Sequence, residues 1–245
     1  MQKIYGYLRR ACKEFDLISD GDRIAVGVSG GKDSMVLLAG LSGMRRFYGK
    51  KYEICAVTVD PRFNKTDTDY SAVERLCEKL GVEFHLIKTD IAQIVFDVRK
   101  EPNPCSLCAK MRRGALCGAA RELSCNKIAL GHNNDDAVET FMMNLIHEGR
   151  IGCFAPISHM DKTDITVIRP LVLAPEHAVI SAARRNNFEI VKSPCPEDKH
   201  TARQDAKELL RSLEREDRGV KARIFGAMRR AGIDDWGGAE YGQKR

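Results

Sequence analysis

A serine, two glycines, a lysine, an aspartate and a second serine stand together at Ser29, Gly30, Gly31, Lys32, Asp33 and Ser34, directly after an apolar run that ends at Val28. Glycines let backbone N–H groups approach an anion with no Cβ in the way. A helix opening at this point adds free N–H donors and the positive end of its dipole. Lys32 brings charge and the two hydroxyls bring further donors, so the block is suited to hold phosphate. It is not a Walker A loop, because three residues rather than four separate Gly27 from Gly31, and Asp33 follows the lysine where Ser or Thr belongs. The G-x-G-x-x-G of dinucleotide sites is absent from it as well. An ordinary glycine turn ahead of a helix is the plainer alternative, and the combination of residue types argues against it.

A second block is Gly131-His132-Asn133-Asn134-Asp135-Asp136. Acidic residues in a first helical turn complement the dipole. Beside a phosphate site, Asp135 and Asp136 are also suited to Mg²⁺, a hard ion that takes oxygen ligands. Arg169 follows a further apolar run; its guanidinium suits a phosphate or a leaving AMP, and a surface ion pair is the alternative. The cysteines form a third group. Cys105 and Cys108 make a C-x-x-C after Pro104, and Cys195 lies far downstream between Pro194 and Pro196. A thioredoxin-like redox pair is disfavoured, since no matching βαβ context carries the motif. Structural zinc on Cys105, Cys108, Cys195 and His200 is a second reading. A [4Fe-4S] cluster on the three cysteines, with one iron left without a protein ligand, is a third. Spacing alone does not decide between the last two. Lys110, Arg112 and Arg113 follow the C-x-x-C and suit RNA phosphates, with Arg121, Arg184 and Arg185 as further candidates and a solvated helix face as the alternative for each.

These blocks need elements to hold them. Apolar runs predict strands over 23–28, 54–59, 83–88, 127–130 and 165–168. Helical patterns predict helices over 2–15, 33–46, 70–80, 107–123, 135–147 and 175–186, with two more between 202 and 230. Gly81 is placed to cap the third of these helices. A loop with Pro102 and Pro104 leads to Cys105, and the Gly-rich last fifteen residues are expected to be loose. Strand–helix alternation predicts a Rossmann-like α/β fold with a parallel five-stranded sheet and helices on both faces. Right-handed crossovers bring the strand carboxyl ends to one edge, where ligands bind. The expected organisation is an N-terminal helix in 1–20, a nucleotide-binding domain with an inserted Cys-rich site in 21–215, and a C-terminal helix and tail in 216–245.

Of the 245 residues, 43% are hydrophobic and 30% charged, which excludes disorder as the default. A formal charge of +6 is compatible with a polyanion such as RNA. The first fifteen residues lack the apolar core of a secretory signal, and no run reaches the ~20 apolar residues of a membrane span. A cytoplasmic protein with no membrane partner is expected. Nine cysteines in such a chain argue against a disulfide framework and for metal, cluster or redox chemistry in some of them. Cys55, Cys77, Cys117, Cys125 and Cys153 are expected to be structural.

The glycine block resembles the S-G-G-K-D-S signature of the PP-loop ATP pyrophosphatases. Pro104-Cys105-Ser106-Leu107-Cys108, Arg112-Arg113-Gly114, Gly131-His132 with Asp135-Asp136, and Ile168-Arg169-Pro170-Leu171 follow in an order similar to the tRNA 2-thiocytidine synthetase family. The similarity spans roughly residues 20–215. In that family a second cysteine often follows the downstream one by three residues; Asp198 stands there. The resemblance implies ATP bound by Val28, Ser29, Gly30, Gly31, Lys32, Asp33, Ser34, Val59, Gly131, His132, Asp135 and Arg169. It implies catalytic roles for Lys32, Asp33 and Asp136, Mg²⁺ at Asp135 and Asp136, and a [4Fe-4S] cluster on Cys105, Cys108 and Cys195. The implied activity is ATP-dependent sulfur transfer to a tRNA cytidine, fed by a cysteine desulfurase or free sulfide, in a monomer or a homodimer. A PP-loop ligase of amidating or lysidine type with structural zinc is the alternative enzyme, and an ATP-sensing or RNA-binding module the non-enzymatic one.

Overall fold

The computed structural model describes residues 1–63, 66–100, 104–192, 194–195 and 202–237. The elements run α1 (Gln2–Glu14), β1 (Asp22–Gly27), α2 (Lys32–Met44), β2 (Tyr52–Asp60), α3 (Ser71–Leu80), β3 (Glu83–Lys88), α4 (Pro104–Glu122), β4 (Lys127–Ala129), α5 (Asn134–His147), β5 (Ile157–Met160), β6 (Ile165–Ile168), α6 (Glu176–Arg185), α7 (Ala202–Glu216) and α8 (Val220–Arg230). The strands form one sheet in the order β3-β2-β1-β4-β6-β5. Every pairing is parallel except β5 with β6. The sheet therefore has six strands, not the five expected. The extra strand, Ile157-Ser158-His159-Met160, carries no apolar alternation of its own and exists through its antiparallel ladder to β6. Among the described residues no helix is long and apolar enough to cross a membrane.

Alternation along the strands sorts the core into two layers. Ile24, Val26 and Ala56 face α1, α2 and α6, while Ala25, Cys55 and Val57 face α4 and the π-helical turn Gln93–Arg99. All of these residues are buried. Gly81 caps α3 in the left-handed conformation, with φ of 61°. The helix α4 begins at Pro104 rather than 107, because proline suits a first turn, where its missing N–H is no loss. Cys105 and Cys108 thus lie on α4 and not in a loop.

The chain order reverses between β1 and β4, which are paired neighbours. In open α/β sheets this switch point leaves a crevice at the strand carboxyl ends. The glycine block leaves β1 there and the Gly-His-Asp-Asp block leaves β4 there.

The C-terminal segment departs from expectation. Residues up to 237 are ordered against the body, and Trp236 is fully buried. Its indole Nε1–H donates to the Phe154 carbonyl at 2.7 Å, and its ring meets Phe225 edge-on at 5.2 Å. One large aromatic side chain here outweighs the glycines around it. Residues 238–245 lie outside the described residues. Trp236→Ala is expected to lower unfolding stability by about 3–5 kcal/mol, the cost of emptying an aromatic site, and the shift of the urea midpoint measures it.

Candidate functional site

The two signature blocks meet through backbone. A Cβ at Gly131 would lie 3.0 Å from the Asp33 carbonyl carbon and 3.1 Å from the Ser34 nitrogen. Gly30 adopts φ of +80°, which glycine alone takes without strain, and Gly31 caps α2 with extended backbone. The Ser34 hydroxyl donates to the Gly31 carbonyl at 2.9 Å and stands 3.3 Å from the Ser29 hydroxyl. On the other block, Asn133 caps α5. Its side-chain oxygen accepts from the Asp135 and Asp136 amides, and its own amide donates to Asp136 Oδ2 at 2.8 Å. Its Nδ2 then reaches across to Asp33 Oδ1 at 3.0 Å. Asn133, which the sequence reading gave no role, is the clasp between the blocks; its N-cap spacing to Asp136 was the available signal.

Above this junction opens a cavity of about 550 Å³. Val28, Ser29, Asp33, Ser34, Val59, Gly131, His132, Asp136 and Arg169 line it, as do Arg112 and Arg113. Val57, Ile128, Leu130 and Val167 give it an apolar recess. Gly30, Gly31, Lys32 and Asp135 are not on its wall, and Lys110 is exposed elsewhere on α4. Lys32 Nζ sits 2.7 Å from Asp33 Oδ2 and 3.2 Å from Glu176 Oε1. Burial works against its charge, yet the Asp33 hydrogen bond and Glu176 prevail and hold its pKa above the ordinary value.

Asp135, expected beside Mg²⁺, is engaged elsewhere. Its Oδ2 accepts from the Glu176 amide at 2.7 Å and its Oδ1 from Lys221 Nζ at 2.9 Å. The carboxylates that share the cavity wall are Asp33 and Asp136. Burial raises the Asp136 carboxyl, opposed by the Asn133 amide and by Arg203, whose Nη1 lies 3.9 Å away. Arg203, Lys207, Lys221 and Glu176 were missed by the sequence reading, since α6, α7 and α8 carry no motif; only the fold brings them here.

Arg169 is no surface ion pair. It is 8% exposed, its Nη1 donates to the Ala155 carbonyl at 2.6 Å, and its guanidinium stacks 5.0 Å from the Phe154 ring centre. Burial lowers its pKa to about 10, with Cys153 opposing and Arg113 adding to the effect. His132 also packs on Phe154, tilted by 35° with 4.8 Å between ring centres. Its Nδ1 and the Nε of Arg169 are buried with no hydrogen-bond partner among the described residues. Orphaned donors beside three arginines and a glycine-floored loop fit an anionic nucleotide.

The thiols converge as well. Cys108 is buried, and burial raises its thiol; Arg112 lowers it, and the nearby Cys195 and Cys105 raise it further. Cys105 and Cys195 thus both act electrostatically on Cys108, and thiols are the soft donors an iron–sulfur cluster takes. Among the described residues no group of three His, Cys, Asp or Glu is placed to hold a metal ion. His200 and Asp198 lie outside the described residues. Cys55 and Cys125 are buried in the core with their sulfurs 3.6 Å apart.

Comparison with known proteins adds to this geometry. A family model described as a PP-loop domain matches residues 5–212. The tRNA-cytidine(32) 2-sulfurtransferase of Geobacter sulfurreducens is 41% identical over 230 residues, 93% of this chain and 89% of that one. That of Citrifermentans bemidjiense is 39% identical over 230 residues, 92% of this chain and 89% of its own. Among solved structures, the U34-tRNA thiolase NcsA from Methanococcus maripaludis with its [4Fe-4S] cluster aligns with a TM-score of 0.77 at 28% identity, covering 93% of this chain and 78% of that chain.

His132 supplies a pH test. Burial pushes its pKa down from 6.5 to about 3, with Arg169 and Arg203 adding to the effect. Below the unfolded value the unfolded chain binds a proton that the folded chain refuses, so stability falls as pH drops from 6.5 toward 3. The slope contributed is up to about 1.4 kcal/mol per pH unit. Urea unfolding at pH 7 and pH 5 is expected to show a smaller difference for His132→Asn than for the natural chain.

Proposed function

The chain belongs to the PP-loop ATP-binding proteins and, within them, to the tRNA-cytidine 2-sulfurtransferase family, and on that premise we propose that it adenylates the C2 carbonyl of an anticodon-loop cytidine in tRNA and exchanges the oxygen for sulfur. The observation that carries this reading is the position of α4. Cys105 and Cys108 occupy its first turns, and Arg112 and Arg113, one turn on, line the cavity floored by the glycine block. A thiol set and a nucleotide cleft therefore share one wall.

A pyrimidine carbonyl oxygen is a poor leaving group. Attack of that oxygen on the α-phosphorus of ATP forms the C2–O–AMP bond and breaks the bond to pyrophosphate. Charge that develops on the pyrophosphate meets the amides of the glycine block, the α2 dipole and Lys32. Lys32 is held at this place by Glu176, so it needs only to exchange Asp33 for phosphate. Asp33 and Asp136, rather than Asp135, would hold Mg²⁺. The apolar recess of Val57, Val59 and Leu130 suits the adenine. Neutral His132, pressed between Phe154 and the cavity, keeps an uncharged donor or acceptor beside the reacting groups. Cys105, Cys108 and Cys195 would hold the [4Fe-4S] cluster, which when bound supplies sulfur at an iron that lacks a protein ligand. Sulfide adds to the activated carbon and AMP departs with the original oxygen; no electrons are gained or lost overall. Sulfide itself would come from a cysteine desulfurase or from solution.

Four outcomes test the reading. ATP is expected to yield AMP and pyrophosphate, and Lys32→Ala to reduce turnover by on the order of 10²-fold or more. Asp136→Asn is expected to cost far more turnover than Asp135→Asn in the same assay. Anaerobically purified protein is expected to hold about four irons per chain, reduced by Cys105→Ala, Cys108→Ala or Cys195→Ala and unchanged by Cys55→Ala. With tRNA, ATP, Mg²⁺ and sulfide, nucleoside mass spectrometry is expected to find thiocytidine. Thiouridine in its place would retain the chemistry and overturn the base. One zinc and no iron, with no thionucleoside formed, would move the protein to the ligase class.

A further inference from the structure

Three arginines line the 550 Å³ cavity, and none of them pairs with a carboxylate among the described residues. Arg169 is 92% buried, and its Nε has no partner. Arg113, solvent-facing at the mouth, is near enough to depress Arg169 by like charge, and Arg169 in turn depresses His132. Both arginines line one cavity, and a buried guanidinium with no anion beside it is left without a compensating charge. Phe154 offsets part of this by stacking on Arg169. Such an arrangement is built for a negative charge that arrives with a ligand.

That ligand is not the triphosphate, which has its own provision on the loop side of the cavity: the loop amides, the Ser29 and Ser34 hydroxyls and the α2 dipole, with Lys32 behind the lining. Asp33 and Asp136 also stand on that side. The arginine wall belongs to α4, the helix that carries Cys105 and Cys108, and to the residue that follows β6. A carbon that receives sulfur from the cysteine side while bonded through oxygen to the α-phosphate must lie between the two walls. Groups on the arginine wall therefore meet the target nucleotide. A nucleotide turned out of its stack brings a phosphodiester with it, and a single phosphodiester charge fits an arginine fork.

We propose that Arg113 and Arg169, backed by His132 and Phe154, form an anion recess that grips one backbone phosphodiester next to the base undergoing sulfur exchange. The recess makes recognition of the flipped nucleotide depend on its backbone, and sets the distance from C2 to the α-phosphate. The proposal rests on the tRNA reading above and goes beyond it by assigning one linkage to two residues.

The test uses the full-length protein with its cluster, under anaerobic conditions and with a non-hydrolysable ATP analogue. Anticodon stem-loop RNAs are prepared with a single neutral methylphosphonate at each loop linkage in turn, and binding is followed by fluorescence anisotropy. For the natural chain, one linkage flanking the target cytidine is expected to lose on the order of 10-fold in affinity, the value of a hydrogen bond to a charged group. Arg113→Gln and Arg169→Gln are expected to bind unmodified RNA more weakly by a similar factor and to be insensitive to that methylphosphonate. Circular dichroism checks folding, and because Arg113 is solvent-facing its variant decides the matter even where Arg169→Gln does not fold. Losses that simply add between variant and methylphosphonate would overturn the recess. So would weaker binding of the ATP analogue with RNA affinity unchanged, which would give the arginines to the nucleotide. Failure of the natural chain to bind any of the RNAs would instead overturn the tRNA reading, and the recess with it.

Discussion

A side chain of even one carbon at residue 131 would press on the carbonyl carbon of Asp33 and the amide of Ser34. The whole site depends on that close approach. β1 and β4 are neighbours in the sheet, and each ends in a helix N-terminus. Two helix N-termini at one place concentrate free amides and positive dipole ends, which suits a polyphosphate and little else. They can be so near only because residue 131 offers no Cβ. Asn133 then spends its side chain on the junction, capping α5 with its oxygen and holding Asp33 with its nitrogen. The carboxylate that faces the cavity is thus aimed by the same residue that starts the second helix.

Such a concentration of acids requires compensation. Asp33, Asp135, Asp136, Glu139 and Glu176 crowd the starts of α2, α5 and α6, and Glu139 is 2% exposed. Taking a carboxylate from water costs several kcal/mol unless a cation follows it. α7 and α8 supply the cations. Lys207 lies 3.0 Å from Glu176 and 3.5 Å from Glu139, Lys221 bonds Asp135, and Arg203 stands off Asp136. Lys32 and Lys207 share one oxygen of Glu176. Through Glu176 the loop lysine is thereby linked to Lys207 on α7. These C-terminal helices are electrostatic parts of the nucleotide site rather than an appendage.

What could be read in advance follows from what is local. Glycine loops and apolar runs are short-range, so β1, α2, β4 and α5 were legible, whereas the switch point between β1 and β4 came only with the strand order. The C-terminal site residues were not, because nothing in an amphipathic helix such as α7 says which carboxylate its lysine will meet. β5 was missed since a strand of four mixed residues is made by its partner. Residues 231–237 were misread because composition averages over residues, whereas Trp236 fixes the segment through one buried ring and one hydrogen bond, helped by Asp234, which accepts from the Cys153 amide. Asp135 shows the limit of a motif. Adjacent residues on a helix point about 100° apart, so of two neighbouring aspartates one faces the cavity and the other meets Lys221 and α6.

The geometry also joins the cysteines to the loop along the chain. The Val191 amide donates to the Gly30 carbonyl at 3.0 Å, and Val191 occupies the space in which a Gly30 side chain would lie, 2.6 Å from an added Cβ. Four residues on, Cys195 comes within electrostatic reach of Cys108. Gly30 is thereby constrained twice, by its φ of +80° and by Val191. The segment that leads to Cys195 is pinned to the glycine block, while α4 carries Cys105, Cys108, Arg112 and Arg113. Gly30 and the chain leading to Cys195 are thus joined by one backbone hydrogen bond.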